Sequence, residues 1–501
     1  MFDAFTQLMS PMLLAMTLAG VCLGIIWGAL PGLSTTMAMG LLIGLSAGMS
    51  QELAICFMLG VYTGSVFGGA ISAVLINIPG TPDAVPTMIE GHQLAQRGEG
   101  GQALGMAIAS SFIGGGIGII LLISFIPLLL TFALNFRSWE MFWLAVIGIM
   151  VSGSMASGAM PLKGWIAGWL GILVALVGLD EIHAVPRFTF GSWSLYDGIS
   201  YVPVLIGLFG LAEILRTLPS GDTPTIPGRV GRLVPGFGML KRIAPSAVRS
   251  GVIGTLIGAI PGAGANVASF LAYDIGRRRA KPEERAKWGK GSYEAIACSE
   301  TANNANIGGS MLPTLALGIP GNAAAAALLA ALTLKNVNVG PTIEIDQPGL
   351  IYFIYGALII ANFMMYLAAF ALIGPCVKLF SLPRGILMPL IIPVCVIGAY
   401  SAKLSMFDVW VMFAAGIIGW LFTVFRFPVA PVVLGVILAP LADENLRRSL
   451  LVFEDKNLGF VLSQWIGTLL MVFVLFVVIE GILRGVRGAA DKKASAASSN
   501  Q

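Results

Sequence analysis

Long apolar runs alternate with short polar loops along this chain. Three of the runs, 103–128, 350–374 and 460–484, are almost free of charge. A helix needs about 20 such residues to cross the hydrocarbon core of a bilayer. Run length and loop charge together predict crossings at 53–78, 103–128, 139–158, 163–179, 200–215, 293–318, 350–374, 386–402, 406–424, 428–440 and 460–484. Two segments do not fit that ruler. From Ala244 to Gly276 the chain leaves one side and returns to it, and each arm around Pro261-Gly262 is too short for a full span. The spacing predicts a re-entrant hairpin there and a mate around Pro31-Gly32. The fold expected is therefore an all-α polytopic membrane protein with about 11 crossings, two re-entrant hairpins and broken helices.

The pattern repeats. Residues 24–34 read Gly-Ile-Ile-Trp-Gly-Ala-Leu-Pro-Gly-Leu-Ser, and residues 254–264 read Gly-Thr-Leu-Ile-Gly-Ala-Ile-Pro-Gly-Ala-Gly. Gly68-Gly69 precedes Ile78-Pro79-Gly80, and Gly308-Gly309 precedes Ile319-Pro320-Gly321. The expected organisation is a first transmembrane repeat at 11–216, a cytoplasmic linker at 217–249, a second repeat at 250–445, an extra helix at 460–484 and a disordered tail at 490–501.

Charge placement orients the halves. Basic residues crowd the linker (Arg216, Arg229, Arg232, Lys241, Arg242, Arg249) and an insertion (Arg277, Arg278, Arg279, Lys281, Arg285, Lys287, Lys290). Both belong inside by the positive-inside rule. The counterpart of the insertion, Ser46 to Glu52, has no basic residue and belongs outside. The loop holding His92 and Arg97 belongs inside, and its counterpart 335–349, with Glu344 and Asp346, outside. Equivalent loops face opposite sides, so the repeats are inverted. The N-terminus is expected outside and the C-terminus inside. Inverted repeats with broken helices near the midplane are a common build of secondary transporters.

Composition agrees and excludes other classes. The 501 residues are 57% hydrophobic and 11% charged, too few charges to cover a soluble protein of this size. The 63 glycines suit close helix packing in lipid. A net charge of +4 reflects topology signals rather than a nucleic-acid surface. The five cysteines are scattered through apolar segments without metal spacing. An enzyme is not expected: the two histidines, His92 and His183, stand far apart, and no His-Glu-x-x-His motif is present. Gly44-Leu-Ser-Ala-Gly48 matches a nucleophile pattern but sits in a membrane hairpin rather than a strand-to-helix turn. No phosphate loop is present, so no ATPase sits in this chain. In the second broken span, Asn303, Asn304 and Asn306 are costly to bury unpaired and suit a ligand or ion site.

At these motifs the chain resembles the large membrane subunit of the tripartite tricarboxylate transporters, the TctA type. The stretches that carry the resemblance are Gly28-Ala-Leu-Pro-Gly-Leu-Ser-Thr-Thr36, Gly68-Gly-Ala-Ile-Ser-Ala-Val-Leu-Ile-Asn-Ile-Pro-Gly-Thr81 and Glu300-Thr-Ala-Asn-Asn-Ala-Asn-Ile-Gly-Gly309. Gly207-Leu-Phe-Gly-Leu-Ala-Glu213 and Ala442-Asp-Glu-Asn-Leu-Arg-Arg448 look similar too, and the likeness covers about residues 10–485. It implies import of a di- or tricarboxylate, with citrate as the family prototype, across a bacterial inner membrane. It also implies symport with Na⁺ or H⁺, a small TctB-type membrane subunit and a periplasmic TctC-type solute-binding protein. No other cofactor is expected. A stand-alone ion-coupled carboxylate carrier is the nearest alternative, and an anion channel a distant one. No Arg or Lys falls in the Pro-Gly and asparagine motif segments, so a carboxylate substrate must be met by helix N-termini, hydroxyls, amides and co-bound cations. Ser34, Thr35, Asn266, Asn303 and Asn304 are the substrate candidates. Backbone oxygens at Gly32, Gly80, Gly262 and Gly321 are the cation candidates, in an elevator-like moving unit.

Overall fold

A computed structural model describes residues 6–30, 33–156, 160–180, 182, 185–217, 233–380, 384–454, 456, 460 and 463–498. The first hairpin is built from α1 (Pro11–Ala29) and α2 (Thr35–Ser46). The Ser10 hydroxyl accepts the Leu13 N–H and Ser34 accepts the Met37 N–H, so each arm begins on a side-chain cap. Helix α3 (Gln51–Ile76) ends at Asn77, which adopts a left-handed φ of 55°. Asparagine tolerates that conformation, and the chain turns into the break before a short Pro82–Ala84 turn and α4 (Val85–Gln96). Then follow α5 (Gly100–Ala133), α6 (Ser138–Ala156) and α7 (Pro161–Ala175). A two-stranded antiparallel ribbon, β1 (Gly178–Leu179) with β2 (Pro186–Arg187), leads to a rod, α8. The rod joins Tyr201–Leu205, a π-helical Ile206–Leu211 and Ala212–Thr217.

The second half repeats this order. Helices α9 (Phe237–Gly258) and α10 (Gly264–Arg279) form the second hairpin. Helix α11 (Tyr293–Leu317) breaks before α12 (Ala323–Leu334). After them come α13 (Leu350–Phe380), α14 (Arg384–Lys403), α15 (Met406–Val424), α16 (Ala430–Phe453) and α17 (Trp465–Ser498). Seven described helices are long and apolar enough to cross a membrane by length and composition. Several boundaries differ from expectation, among them the end of α16 at Phe453 rather than 440 and of α13 at Phe380 rather than 374. Helix α9 starts inside the expected 217–249 linker, of which residues 218–232 lie outside the described residues. Helix α5 runs through Pro127 to Ala133 on a further turn of leucines. Helix α17 continues to Ser498 through the expected tail, because Ala and Lys favour helix.

Glycine explains how the hairpins sit. A Cβ on Gly20, Gly24 or Gly28 would overlap Phe57 O, Val61 O or Ser65 O, respectively. The contacts advance together along both helices, so α1 and α3 run parallel at backbone contact. A parallel partner forces α2 to run back, which makes α1–α2 a hairpin whose tip stops beside the middle of α3. In the second half, a Cβ on Gly254 or Gly258 would overlap the backbone at Ala302 or meet Asn306 O. Each pair lies the sequence-repeat offset away from its counterpart. The returning arms reach across the repeats as well as within them: α2 packs on α3 and α12, and α10 on α11 and, more lightly, on the Pro82–Ala84 turn and α4.

Loop contacts show which ends share a face. Gln51 Nε2 donates to Gln347 Oε1 at 2.8 Å, and Lys335 Nζ donates to Ala47 O at 2.6 Å and Met49 O at 2.7 Å. At the other end, Glu90 accepts from Gly289, Gly291 and Ser292, and Tyr293 donates to Glu99. Helices α3 and α11 thus start from opposite faces. They are also the innermost elements, with every residue from Ala54 to Ile76 and from Ala295 to Ala316 buried. Helix α17 lies on the rim, its apolar side chains Leu469, Val472 and Phe476 exposed as a lipid-facing surface requires.

Candidate functional site

The start of α2, the second hairpin tip and both helix breaks meet around one cavity of about 370 Å³, within the usual size range of small-molecule sites. Four helices begin on its wall. Ser34, Thr35 and Thr36 bring the start of α2, and Gly264 and Asn266 the start of α10. Asn322 and Ala323 bring the start of α12, and Val429 and Ala430 the start of α16. A helix N-terminus leaves backbone N–H groups unpaired and carries partial positive charge. Tyr62, Phe209, Asn303, Asn306, Asp83 and Ser152 complete the polar and aromatic lining. No Arg, Lys or His lines the cavity among the described residues.

A hydrogen-bond bridge joins the two repeats across the wall. Asn322 Oδ1 accepts the Ala325 N–H at 2.8 Å, capping α12, while Asn322 Nδ2 donates to Tyr62 Oη at 2.9 Å and Asn306 Oδ1 at 3.0 Å. Tyr62 Oη also lies 2.9 Å from Ser310 Oγ. The Gly262 N–H donates to Gly321 O at 2.8 Å, so the second hairpin tip is fastened to the second helix break. Gly262 has φ +80°, and a Cβ there would overlap Ser152 on α6.

Of the substrate candidates, Ser34, Thr35, Asn266 and Asn303 line the cavity. Thr35 Oγ1 and both amide atoms of Asn303 are buried without a hydrogen-bond partner, polar groups available to an occupant. Asn304 is not on the wall: its Nδ2 donates back to Glu300 O at 3.1 Å. Of the cation candidates, Gly262 lines the cavity and Gly32 lies outside the described residues. The Gly321 carbonyl already accepts from Gly262. Gly80 lines a neighbouring cleft of about 460 Å³ and donates its own N–H to Gly69 O at 3.3 Å. Ser34, Pro82, Phe209 and Val429 are common to cleft and cavity, and the cleft reaches Glu213 and Arg216.

Two carboxyls that the sequence reading left out stand here. Asp83 is on the cavity wall, and Glu300, fully buried, lies one helical turn from Asn303. Glu300 stands in the same motif as Asn303, Asn304 and Asn306, but nothing in the sequence places it beside Asp83. Phe209 was also missed. It sits on the π-helical turn of α8, and such turns often mark functional positions. The Gly207–Glu213 motif was the available signal.

A model described as "Tripartite tricarboxylate transporter TctA family" matches residues 14–434. An uncharacterized 52.8 kDa protein in the TAR-I ttuC' 3'region of Agrobacterium vitis is 35% identical over 491 residues, covering 97% of each chain. An uncharacterized protein in the TAR-II ttuC' 3'region of the same organism is 33% identical over 239 residues, which is 48% of this chain and 98% of that one. No solved structure matches.

Proposed function

The chain belongs to the tripartite tricarboxylate transporter TctA family, and from that premise we propose that it is the large permease subunit of a binding-protein-dependent secondary transporter. It imports a di- or tricarboxylate across a bacterial inner membrane on a Na⁺ or H⁺ gradient. A small membrane subunit and a periplasmic solute-binding protein work with it.

The observation that carries the reading is the cavity wall of four helix starts without a basic side chain. Each N-terminus favours an anion by ~0.3–1 kcal/mol, so four together supply roughly 1–4 kcal/mol. That holds a carboxylate without the tight grip of a buried arginine fork, and a carrier must also let go. Thr35 and Asn303 add hydroxyl and amide groups that have no partner of their own.

The test is a thermal-shift screen of the purified protein against succinate, malate, tartrate and citrate, with and without Na⁺. Uptake of the stabilising acid into proteoliposomes holding the small subunit and supplied with the binding protein follows. Concentrative uptake on an imposed ion gradient supports the reading. Uptake that only equilibrates would indicate a channel, and uptake indifferent to the binding protein a stand-alone carrier.

A further inference from the structure

Behind the cavity wall lies a closed polar pocket. Glu300, on α11, has no exposed surface. Its Oε1 accepts from Thr87 Oγ1 on α4 at 2.5 Å, and its Oε2 accepts from Ser111 Oγ on α5 at 3.2 Å. Thr87 Oγ1 also lies 3.0 Å from Ser299 Oγ. Seven residues into its helix, Glu300 is about 10 Å below the charged face by helical rise. Asp83, at the first-repeat break, is its electrostatic neighbour, and Asn303 stands beside both carboxyls. Asp83 Oδ2 and both amide atoms of Asn303 complete no hydrogen bond, and both residues line the cavity.

Nothing basic answers these acids. The other titratable or charged groups on the packed helices are Glu52, Cys56 and Tyr62 on α3, Glu90 and His92 on α4, Lys241, Arg242 and Arg249 on α9, Tyr273, Asp274 and the arginines 277–279 on α10, and Tyr293, Glu294 and Cys298 on α11. None of them bears electrostatically on Glu300; only Asp83 does. A carboxylate enclosed without a cation is costly by several kcal/mol, far more than a neutral acid in the same place. Glu300 therefore holds a proton, or another cation, whenever it is shut in. Its oxygens meet only two hydroxyls, Thr87 and Ser111, either of which can rotate to accept the acid's own O–H, and two partners fall short of the six or more oxygens a hard metal ion gathers.

We propose that Glu300 is the proton-carrying group of the transport cycle, reached from the substrate cavity through Asp83 and Asn303. The proposal rests on the transport reading and deepens it, choosing H⁺ over Na⁺ at this site. Only a proton moves: an O–H bond at Glu300 breaks, an O–H bond at Asp83 Oδ2 forms, and Asp83 passes the proton to water in the cavity. The neutral acid removes one negative charge from behind the bound anion, so proton and carboxylate load together. Neither leaves easily alone.

The test compares wild type with Glu300→Gln in proteoliposomes containing the small subunit and supplied with the binding protein. The probes are ¹⁴C-labelled succinate, malate and citrate. Wild type should accumulate its acid at least tenfold on an inside-alkaline pH gradient at equal Na⁺. The Gln variant, fixed in the neutral form, should keep counterflow within about threefold of wild type and lose gradient-driven accumulation. Glu300→Asp, shorter by one methylene, should stay coupled with a displaced pH profile, and it decides the matter if the Gln variant does not fold. The proposal falls if Glu300→Gln still follows the pH gradient, if Glu300→Asp leaves the profile unmoved, or if wild type ignores pH and follows Na⁺. Wild type that moves none of these acids, nor tartrate, in either assay would instead sink the transport reading.

Discussion

Glu90 offers the sharpest test of how the repeats are joined. It sits on α4 in the first half, yet its carboxylate is buried in a loop of the second. Oε1 accepts from Tyr273 Oη at 2.7 Å and Gly289 N at 2.6 Å; Oε2 accepts from Gly291 N and Ser292 N, both at 2.9 Å. Glu90→Gln keeps the shape but turns an NH₂ toward N–H donors whichever way the amide rotates. Hydrogen bonds to a charged group contribute ~1.5–3 kcal/mol each, and loop N–H groups recover part of this from water. The net loss should be about 2–4 kcal/mol of local stability. At 1.4 kcal/mol per decade, the loop 277–292 should open roughly 30- to 700-fold more often. That loop carries Arg277, Arg278, Arg279, Lys281, Arg285, Lys287 and Lys290, so limited trypsinolysis reads its opening directly. Cleavage should speed up there and not at Lys335. Equal cleavage rates in wild type and variant would refute the tether.

Three further outcomes are expected. Cysteine replacing Ala47 should react with an impermeant maleimide only from one side of a sealed membrane, and cysteine replacing Ala286 only from the other. Reaction of both from one side would overturn the inverted arrangement. Asn303→Ala should weaken apparent substrate affinity at least tenfold with unchanged folded protein. Asn304→Ala should leave affinity alone and lower thermal stability by about 1 kcal/mol, the worth of one hydrogen bond, and equal effects on affinity would remove Asn303 from the site. Gly262→Ala should cost about 2–5 kcal/mol, combining a left-handed alanine with overpacking against Ser152. It should melt earlier, whatever the Na⁺ concentration; a wild-type melting temperature would show that the tip yields freely.

The hairpins were legible because Pro-Gly pairs recur at matching places and because the arms are too short to span. The pairing of loop faces was legible in the basic residues. The site was readable only in part. Asn303 and Asn304 are neighbours in sequence, but successive helical residues point about 100° apart. Residues 303, 306, 307 and 310 share the inner stripe, and Asn304 falls off it. The nearness of Asp83 to Glu300 was not legible at all, since it depends on how the first break packs against α11. The same holds for Ser152, Phe209 and Val429, wall residues brought in by helices that carry no Pro-Gly signal.

The reach of the returning hairpin arms into the other repeat bears on how the chain is made. Helix α1 finds its glycine groove on α3 as soon as both have left the ribosome. Helix α2 packs on α3 as well, but its other wall is α12, which is synthesised nearly 300 residues later. At roughly 5–20 residues per second that is a delay of about 15–60 s. Through that interval the hydroxyls of Ser34, Thr35 and Thr36 sit at mid-depth without the amides that will face them. The nascent first half is therefore the vulnerable species, open to slippage of α2 or capture by a membrane chaperone. The cavity closes only when the second half arrives.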